Sequence, residues 1–249
     1  MAAPYPTLEI LGVPFARLTP REALDRVEEL FERAAPALVA YANVHTVNLA
    51  VADPSYASVL RRADLVLNDG KGVMLAARLY GEGFPADLNG NFFTPQLLRR
   101  AAARGWRAFF YGARPGVARA VADRLCRELP GLEVVGVSDG YAPAARDVIE
   151  RVRTSGAQLL LVGLGNPRQE RWLEEHLAAT GARLGVGVGA FFDFQAGEVP
   201  RAPAWMNRVG LEWTHRLTHE PRRMWRRYLI GNPIFLARTA RERLSSRTG

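Results

Sequence analysis

The sequence predicts a doubly wound, mostly parallel α/β sheet followed by a basic, helical C-terminal appendage. Three observations carry that prediction. Six short apolar runs alternate with amphipathic helical patterns between Ala37 and Val188, the signature of parallel strands joined by crossover helices. Every run ends in glycine, asparagine or aspartate, as strand-to-helix turns do. The charge divides sharply: residues 1–200 hold 22 basic and 22 acidic side chains, whereas residues 201–249 hold 11 arginines and 3 glutamates. The whole formal charge of +8 therefore sits in the last fifth of the chain, with Trp205, Trp213 and Trp225. The expected division is a body over 1–200 and an appendage over 201–249.

In chain order, a proline-rich start leads to Thr19-Pro20, an N-cap and first helical residue for a helix through Arg33. The run 37–41 reads as a buried strand ending at Asn43. A helix follows from about Pro54 to Arg62. Asp64 to Leu67 is the second strand, closed by Asn68-Asp69-Gly70, with a helix from Lys71 to about Tyr80. Residues 81–91 break into Gly, Pro and Asn and read as a loop over one end of the sheet. Then come helix 94–104, strand 107–111, the turn 112–116 and a helix to Leu129. Strand 133–137 leads to a helix over about 143–154, strand 158–162 to a helix opened by Pro167, and strand 184–188 to Asp193. This is a Rossmann-like layout.

In such folds ligands bind beyond the carboxyl ends of the strands. Those ends carry Asn43, Asp69, Gly112, Asp139, Gly163, Gly165 and Asp193. Glycines there let backbone N–H groups approach a phosphate at the positive ends of helices, which points to a nucleotide-type ligand. Turns of this kind also use glycine for geometry alone, and none matches G-x-G-x-x-G. Asp69, at a strand end directly before Gly70 and a helix, is placed either to take a proton from a bound hydroxyl or to cap the helix.

Composition removes several classes. The single cysteine excludes an intrachain disulfide and a cysteine-cluster metal site, and its helical setting reads Cys126 as a buried thiol. No Asp-x-Asp clamp, P-loop, G-x-S-x-G elbow or zinc spacing occurs, so neither a metal nor a cofactor is expected. His215 and His219 stand four residues apart without an evident third ligand. No apolar run reaches the ~20 residues needed to cross a bilayer, and the first residues lack the build of a signal peptide. A cytoplasmic protein is expected.

On a helix from Arg222 to Ile230, Arg222, Arg223, Arg226 and Arg227 would share one face, with Trp225, Tyr228 and Leu229 opposite. Three readings stand side by side: a helix packed on the body, a membrane or diphosphate contact, and a nucleic-acid patch.

Several motifs together resemble the WecG/TagA/CpsF family of glycosyltransferases: A-D-L-V-L-N-D-G-K-G-V at 63–73, V-G-L-G-N-P-R-Q-E-R-W at 162–172, G-V-G-A-F-F-D-F-Q-A-G at 187–197, R-A-P-x-W at 201–205 and G-L-E-W-x-x-R-L-x-x-E-P-R-R at 210–223. The resemblance implies inverting, metal-independent transfer of an N-acetylhexosamine of the ManNAc type from a UDP-sugar to an undecaprenyl-diphosphate-linked GlcNAc, in cell-surface polysaccharide assembly. It makes Asp69 the catalytic base, Gln169 a ligand-contacting amide and Asp193 a contact to the uridine. It assigns Arg216, Arg222, Arg223, Arg226 and Arg227 to the acceptor diphosphate and the inner membrane surface. It allows a homo-oligomer and makes nucleic acid an unexpected partner. Two departures stand out. A Thr-Pro-Asn segment of relatives is Tyr41-Ala42-Asn43 here, and the loop motif R-x-x-G-x-D reads Asp87-Leu88-Asn89-Gly90-Asn91-Phe92. The competing readings are a nucleotide-sugar-binding protein without catalysis and a nucleic-acid-binding protein.

Overall fold

The computed structural model describes residues 5–141, 144–198, 206 and 212–245. Its centre is a six-stranded parallel sheet. In chain order the strands are β3 (Ala37–Ala42), β4 (Leu65–Asn68), β5 (Arg107–Gly112), β6 (Glu133–Ser138), β7 (Leu159–Gly163) and β8 (Leu184–Gly187). Across the sheet they lie in the order β4-β3-β8-β7-β5-β6. All six expected strands form, because apolar runs such as Ala37–Ala42 and Leu159–Val162 are buried on both faces.

Helices cover both faces. On one lie α1 (Pro20–Phe31), α5 (Gly90–Arg104), α6 (Val117–Glu128) and α9 (Phe191–Ala196), whose core includes Val27, Leu97, Val121 and Phe192. On the other lie α2 (Val44–Ala52), α3 (Pro54–Arg62), α4 (Lys71–Leu79), α7 (Ala145–Ser155) and α8 (Arg168–Thr180), packed through Val47, Leu60, Val73, Val148 and Leu173. The chain thus leaves β3 toward one face and β8 toward the other, although these strands are neighbours. That divergence opens a crevice at their carboxyl ends, the place where doubly wound sheets bind ligands.

Several sequence expectations are corrected. The start of the chain forms a hairpin of β1 (Thr7–Ile10) and β2 (Val13–Ala16), turned by Leu11 and Gly12, both at positive φ. A further helix, α2, follows Asn43, whose side chain caps it. The helix expected from 94 begins at Gly90, so the end of the expected loop is a helix N-terminus. Cys126 is exposed, not buried.

The C-terminal segment is helical: α10 (Glu212–His219), α11 (Pro221–Trp225), a π-helical turn (Arg226–Ile230) and α12 (Gly231–Ser245). The 200/201 boundary and the R-A-P-x-W motif lie outside the described residues. The tail docks on the body. Phe235 is fully buried with the α2 side of the core, Asn48 Nδ2 donates to Gly231 O at 2.8 Å, and Arg238 donates to Asn48 Oδ1 at 3.1 Å. Glu242 accepts from Leu11 N at 3.3 Å and from the Tyr80 hydroxyl. The expected faces of the 222–230 helix do not hold. The π-turn brings Arg227 and Tyr228 against the body, while Trp225, Leu229 and Ile230 are exposed. Among the described residues no helix is long and apolar enough to cross a membrane.

Candidate active site

Asp69 stands where two adjoining cavities meet. The first, about 230 Å³, lies beyond the ends of β3, β7 and β8 and is lined by backbone and polar groups, among them Asn89, Gly165, Asn166, Gln169 and Gly189. The second, about 490 Å³, lies between α4, the start of α5 and the tail, with Leu75, Phe92, Trp213, Tyr228 and Leu236 in its wall. Asn43, His45, Asp69, Asn89 and Arg227 line both.

The carboxylate is held from two sides. Asn43 Nδ2 donates to Asp69 Oδ2 at 3.0 Å, and the backbone N–H of Gly90, in the first turn of α5, lies on the other side and favours its charged form. The other end of the Asn43 amide is fixed, since its Oδ1 accepts from the backbone of His45 at 3.0 Å and Thr46 at 3.2 Å. Capping α2 therefore aims the amide nitrogen at Asp69. The N-cap of the helix after Asp69 is Gly70, with no side-chain cap hydrogen bond, so Asp69 is free of the capping role. Gly72 and Gly90 let the elements close in: a Cβ would stand 2.4 Å from Val44 Cγ2 at the first and 3.2 Å from the Tyr41 ring at the second.

Burial raises the pKa of Asp69, and the Asp87 carboxylate adds to the rise. The hydrogen bond from Asn43, the charge of Arg227 and the Gly90 N–H oppose it. Asp87 is itself clamped, accepting from Gly70 N at 2.9 Å and pairing with Lys71 at 3.6 Å. A desolvated carboxylate of raised pKa beside a cavity is suited to accept a proton.

Of the other candidates, Gly165 and Gln169 join Asp69 in the first cavity, and Asn43 and Arg227 join it in both. The Gln169 carboxamide is already engaged. Its Oε1 accepts from Gly165 N at 3.1 Å and Gly189 N at 2.9 Å, and its Nε2 donates to Glu170 Oε1 at 2.7 Å. One hydrogen on Nε2 is what it can still offer a ligand. Gly112 and Gly163 line neither cavity. A Cβ on Gly112 would stand 2.4 Å from Gly163 O, so close approach of β5 and β7 accounts for the glycine. Asp139 turns its own loop, accepting from Tyr141 N at 2.9 Å, and Asp193 lies in the first turn of α9. Neither lines the two cavities. Arg222 and Arg226 are exposed; the side chains of Arg216 and Arg223 lie outside the described residues. The His215 and His219 rings lie 4.2 Å apart, tilted by 31°, and among the described residues no cluster of three or more metal-ligating side chains occurs.

Residues 8–249 match the description "Glycosyl transferase WecG/TagA/CpsF family". The chain belongs to that family. It is a glycosyltransferase of α/β fold. A protein of Bacillus spizizenii (strain ATCC 23059 / NRRL B-14472 / W23) named N-acetylglucosaminyldiphosphoundecaprenol N-acetyl-beta-D-mannosaminyltransferase is 35% identical over 198 residues, 80% of this chain and 77% of its own. A protein of Bacillus subtilis (strain 168) with the same name is 30% identical over 224 residues, 90% of this chain and 87% of its own. Sequence reasoning missed His45, Asn89 and the second cavity. Asn-x-His directly after β3 was the available signal for His45; the cavity depends on how the tail docks, which no local pattern carries.

Proposed function

We propose that this glycosyltransferase moves an N-acetylhexosamine of the ManNAc type from a UDP-sugar to a GlcNAc carried on a polyprenyl diphosphate, with inversion and without a metal. The observation that carries the reading is the position of Asp69 between a polar cavity at the sheet's switch point and an apolar-walled cavity roofed by the tail. The nucleotide-sugar fits the first, where Gly165, Gly189 and the surrounding polar groups can meet uridine and phosphate. The acceptor fits the second, where apolar walls and the cations Lys71 and Arg227 suit a lipid-linked diphosphate. In the reaction, Asp69 takes the proton of the acceptor hydroxyl as that oxygen bonds to the anomeric carbon. The bond from that carbon to UDP breaks, and its electron pair leaves with UDP. Exposed Leu75 and Phe92 in the wall of the second cavity, with exposed Trp225 at the end of α11 and Leu229 and Ile230 on the π-turn, support docking of this side on the inner membrane surface. The exposed arginines Arg222 and Arg226 add attraction to anionic lipid. The domain division at 200/201 is part of the same reading: a donor-binding body and an acceptor-facing tail.

The test is UDP release from UDP-ManNAc, UDP-GlcNAc and related donors, with a synthetic GlcNAc-diphosphate-lipid, in wild type and Asp69→Asn, with and without EDTA. Acceptor-dependent release that survives EDTA and is nearly lost in the variant is the expected result. Equal turnover by the variant would place the base elsewhere, and wild-type turnover abolished by EDTA would end the metal-independent reading.

A further inference from the structure

Behind the wall of the first cavity lies a fully buried glutamate. Glu170, on α8, exposes none of its surface, and three side-chain donors converge on its carboxylate. Tyr56, from α3, donates its hydroxyl to Oε2 at 3.1 Å. Asn166 Nδ2 and Gln169 Nε2 each donate to Oε1 at 2.7 Å. Burying a carboxylate is costly unless donors surround it, and here burial pushes the Glu170 pKa up to about 7 against the pull of those hydrogen bonds. Nothing in the reaction described above uses this group.

Its effect falls on its neighbours. An unrestrained glutamine amide can turn end for end, exchanging its oxygen and nitrogen. By taking the Gln169 nitrogen, Glu170 fixes the amide so that its oxygen faces the N–H groups of Gly165 and Gly189. Those two glycines belong to the turns after β7 and β8, and both line the first cavity. The same carboxylate oxygen holds Asn166, which also lines it. The sheet leaves room for this arrangement only at a glycine: a Cβ on Gly187 would stand 2.9 Å from Gln169 Nε2 and 3.2 Å from Glu170 Oε1. We infer that Glu170 is a positioning residue for donor binding, acting through Gln169 and Asn166 to hold the β7 and β8 turns at the spacing that receives the nucleotide-sugar. The inference rests on the donor assignment of the first cavity.

The experiment compares Glu170→Leu and Glu170→Gln with wild type in two readouts. Amide hydrogen exchange at Gly165 and Gly189 reports the clasp without any ligand, and steady-state kinetics separate donor KM from kcat. Glutamine keeps one carbonyl oxygen for the two amide donors and turns its NH2 toward the Tyr56 oxygen, so it can preserve the arrangement. In the leucine variant both glycine amides are expected to exchange about tenfold faster, and donor KM to rise about tenfold with little change in kcat. Glu170→Gln is expected to restore both. Wild-type exchange at the two glycines in the leucine variant would overturn the inference, as would faster exchange with an unchanged donor KM, or a glutamine variant as defective as leucine. Should the leucine variant not fold, Gln169→Met cuts the clasp from its other side, and a wild-type donor KM there overturns the inference equally. Failure of wild type to turn over any UDP-sugar would instead sink the donor reading, leaving the exchange of the two glycines to decide the clasp.

Discussion

The two cavities that meet at Asp69 are walled by different kinds of structure. The first is built mainly from strand ends and the residues that follow them, with Met224 and Arg227 the tail's share, and the turns after β7 and β8 are tied down by Gln169 of α8. The second takes about a third of its lining from the tail, and the tail holds on through Phe235, the Asn48 contacts and Glu242. The difference suits the proposed partners. A nucleotide-sugar turns about its pyrophosphate, and a preorganised wall lowers the cost of ordering it. A lipid-linked acceptor approaches along a surface, and an apolar wall formed by docked helices can follow it.

The comparison breaks most completely at the residue both cavities share. Asp69→Asn is expected to lower kcat by about 10²–10⁴-fold, the usual worth of a positioned base, while UDP affinity measured by calorimetry stays near wild type. Next comes the tail's anchor. Phe235→Ala empties a fully buried site at a cost of about 3–5 kcal/mol. The expected outcome is a raised KM for the lipid acceptor and faster proteolysis within the tail, with UDP affinity retained. A smaller effect is expected from Arg222→Ala with Arg226→Ala, at about 1 kcal/mol per arginine on an anionic surface: weaker flotation with anionic vesicles and reduced turnover of lipid acceptor, with UDP affinity unchanged. Equal loss of acceptor turnover and UDP affinity would erase the division between the cavities.

A fourth prediction sharpens the rigid side alone. Glu170 has its folded-state pKa raised to about 7 from the ordinary 4.5, so its buried charge weighs on stability above pH 7. That burden lifts as pH falls through 7 toward 4.5. Glu170→Gln never carries it. The melting temperature of the variant relative to wild type should therefore be highest above pH 7 and decline toward pH 4.5, a trend differential scanning calorimetry can follow. The mildest change is Tyr41→Phe, which removes a 3.0 Å hydrogen bond to Thr94 and is expected to cost about 1 kcal/mol in a urea melt.

How much of this was legible in the sequence varies by the range of the interaction that decides it. The six strands were, because a run such as Leu159–Val162 has one stable fate in an α/β chain. The β1–β2 hairpin was not, since its turn is Leu11-Gly12 in place of the Asn-Gly or Asp-Gly that announces such turns. Helix α2 was hidden because Val44–Ala52 is apolar almost all round, with no stripe to reveal a period. Asp69 stood out by its place at a strand end. Glu170 lies within a quoted motif, N-P-R-Q-E, yet its role depends on Tyr56, 114 positions earlier, and spacing along the chain cannot show that meeting.

The π-turn at Arg226–Ile230 has a consequence for the helical phase of everything beyond it. Gly231 N–H bonds back to Arg226 O, five residues earlier, so the turn takes in one residue more than an α-turn, and each residue advances a helix by about 100°. Side chains after the turn are rotated by that offset from where an unbroken α-helix would carry them. Phe235 meets the core because of this slip. The turn is thus a vernier joining two gears, and its tooth count is fixed: removing a single residue from 226–230 would leave the composition of the tail almost untouched while swinging its anchor away from the body.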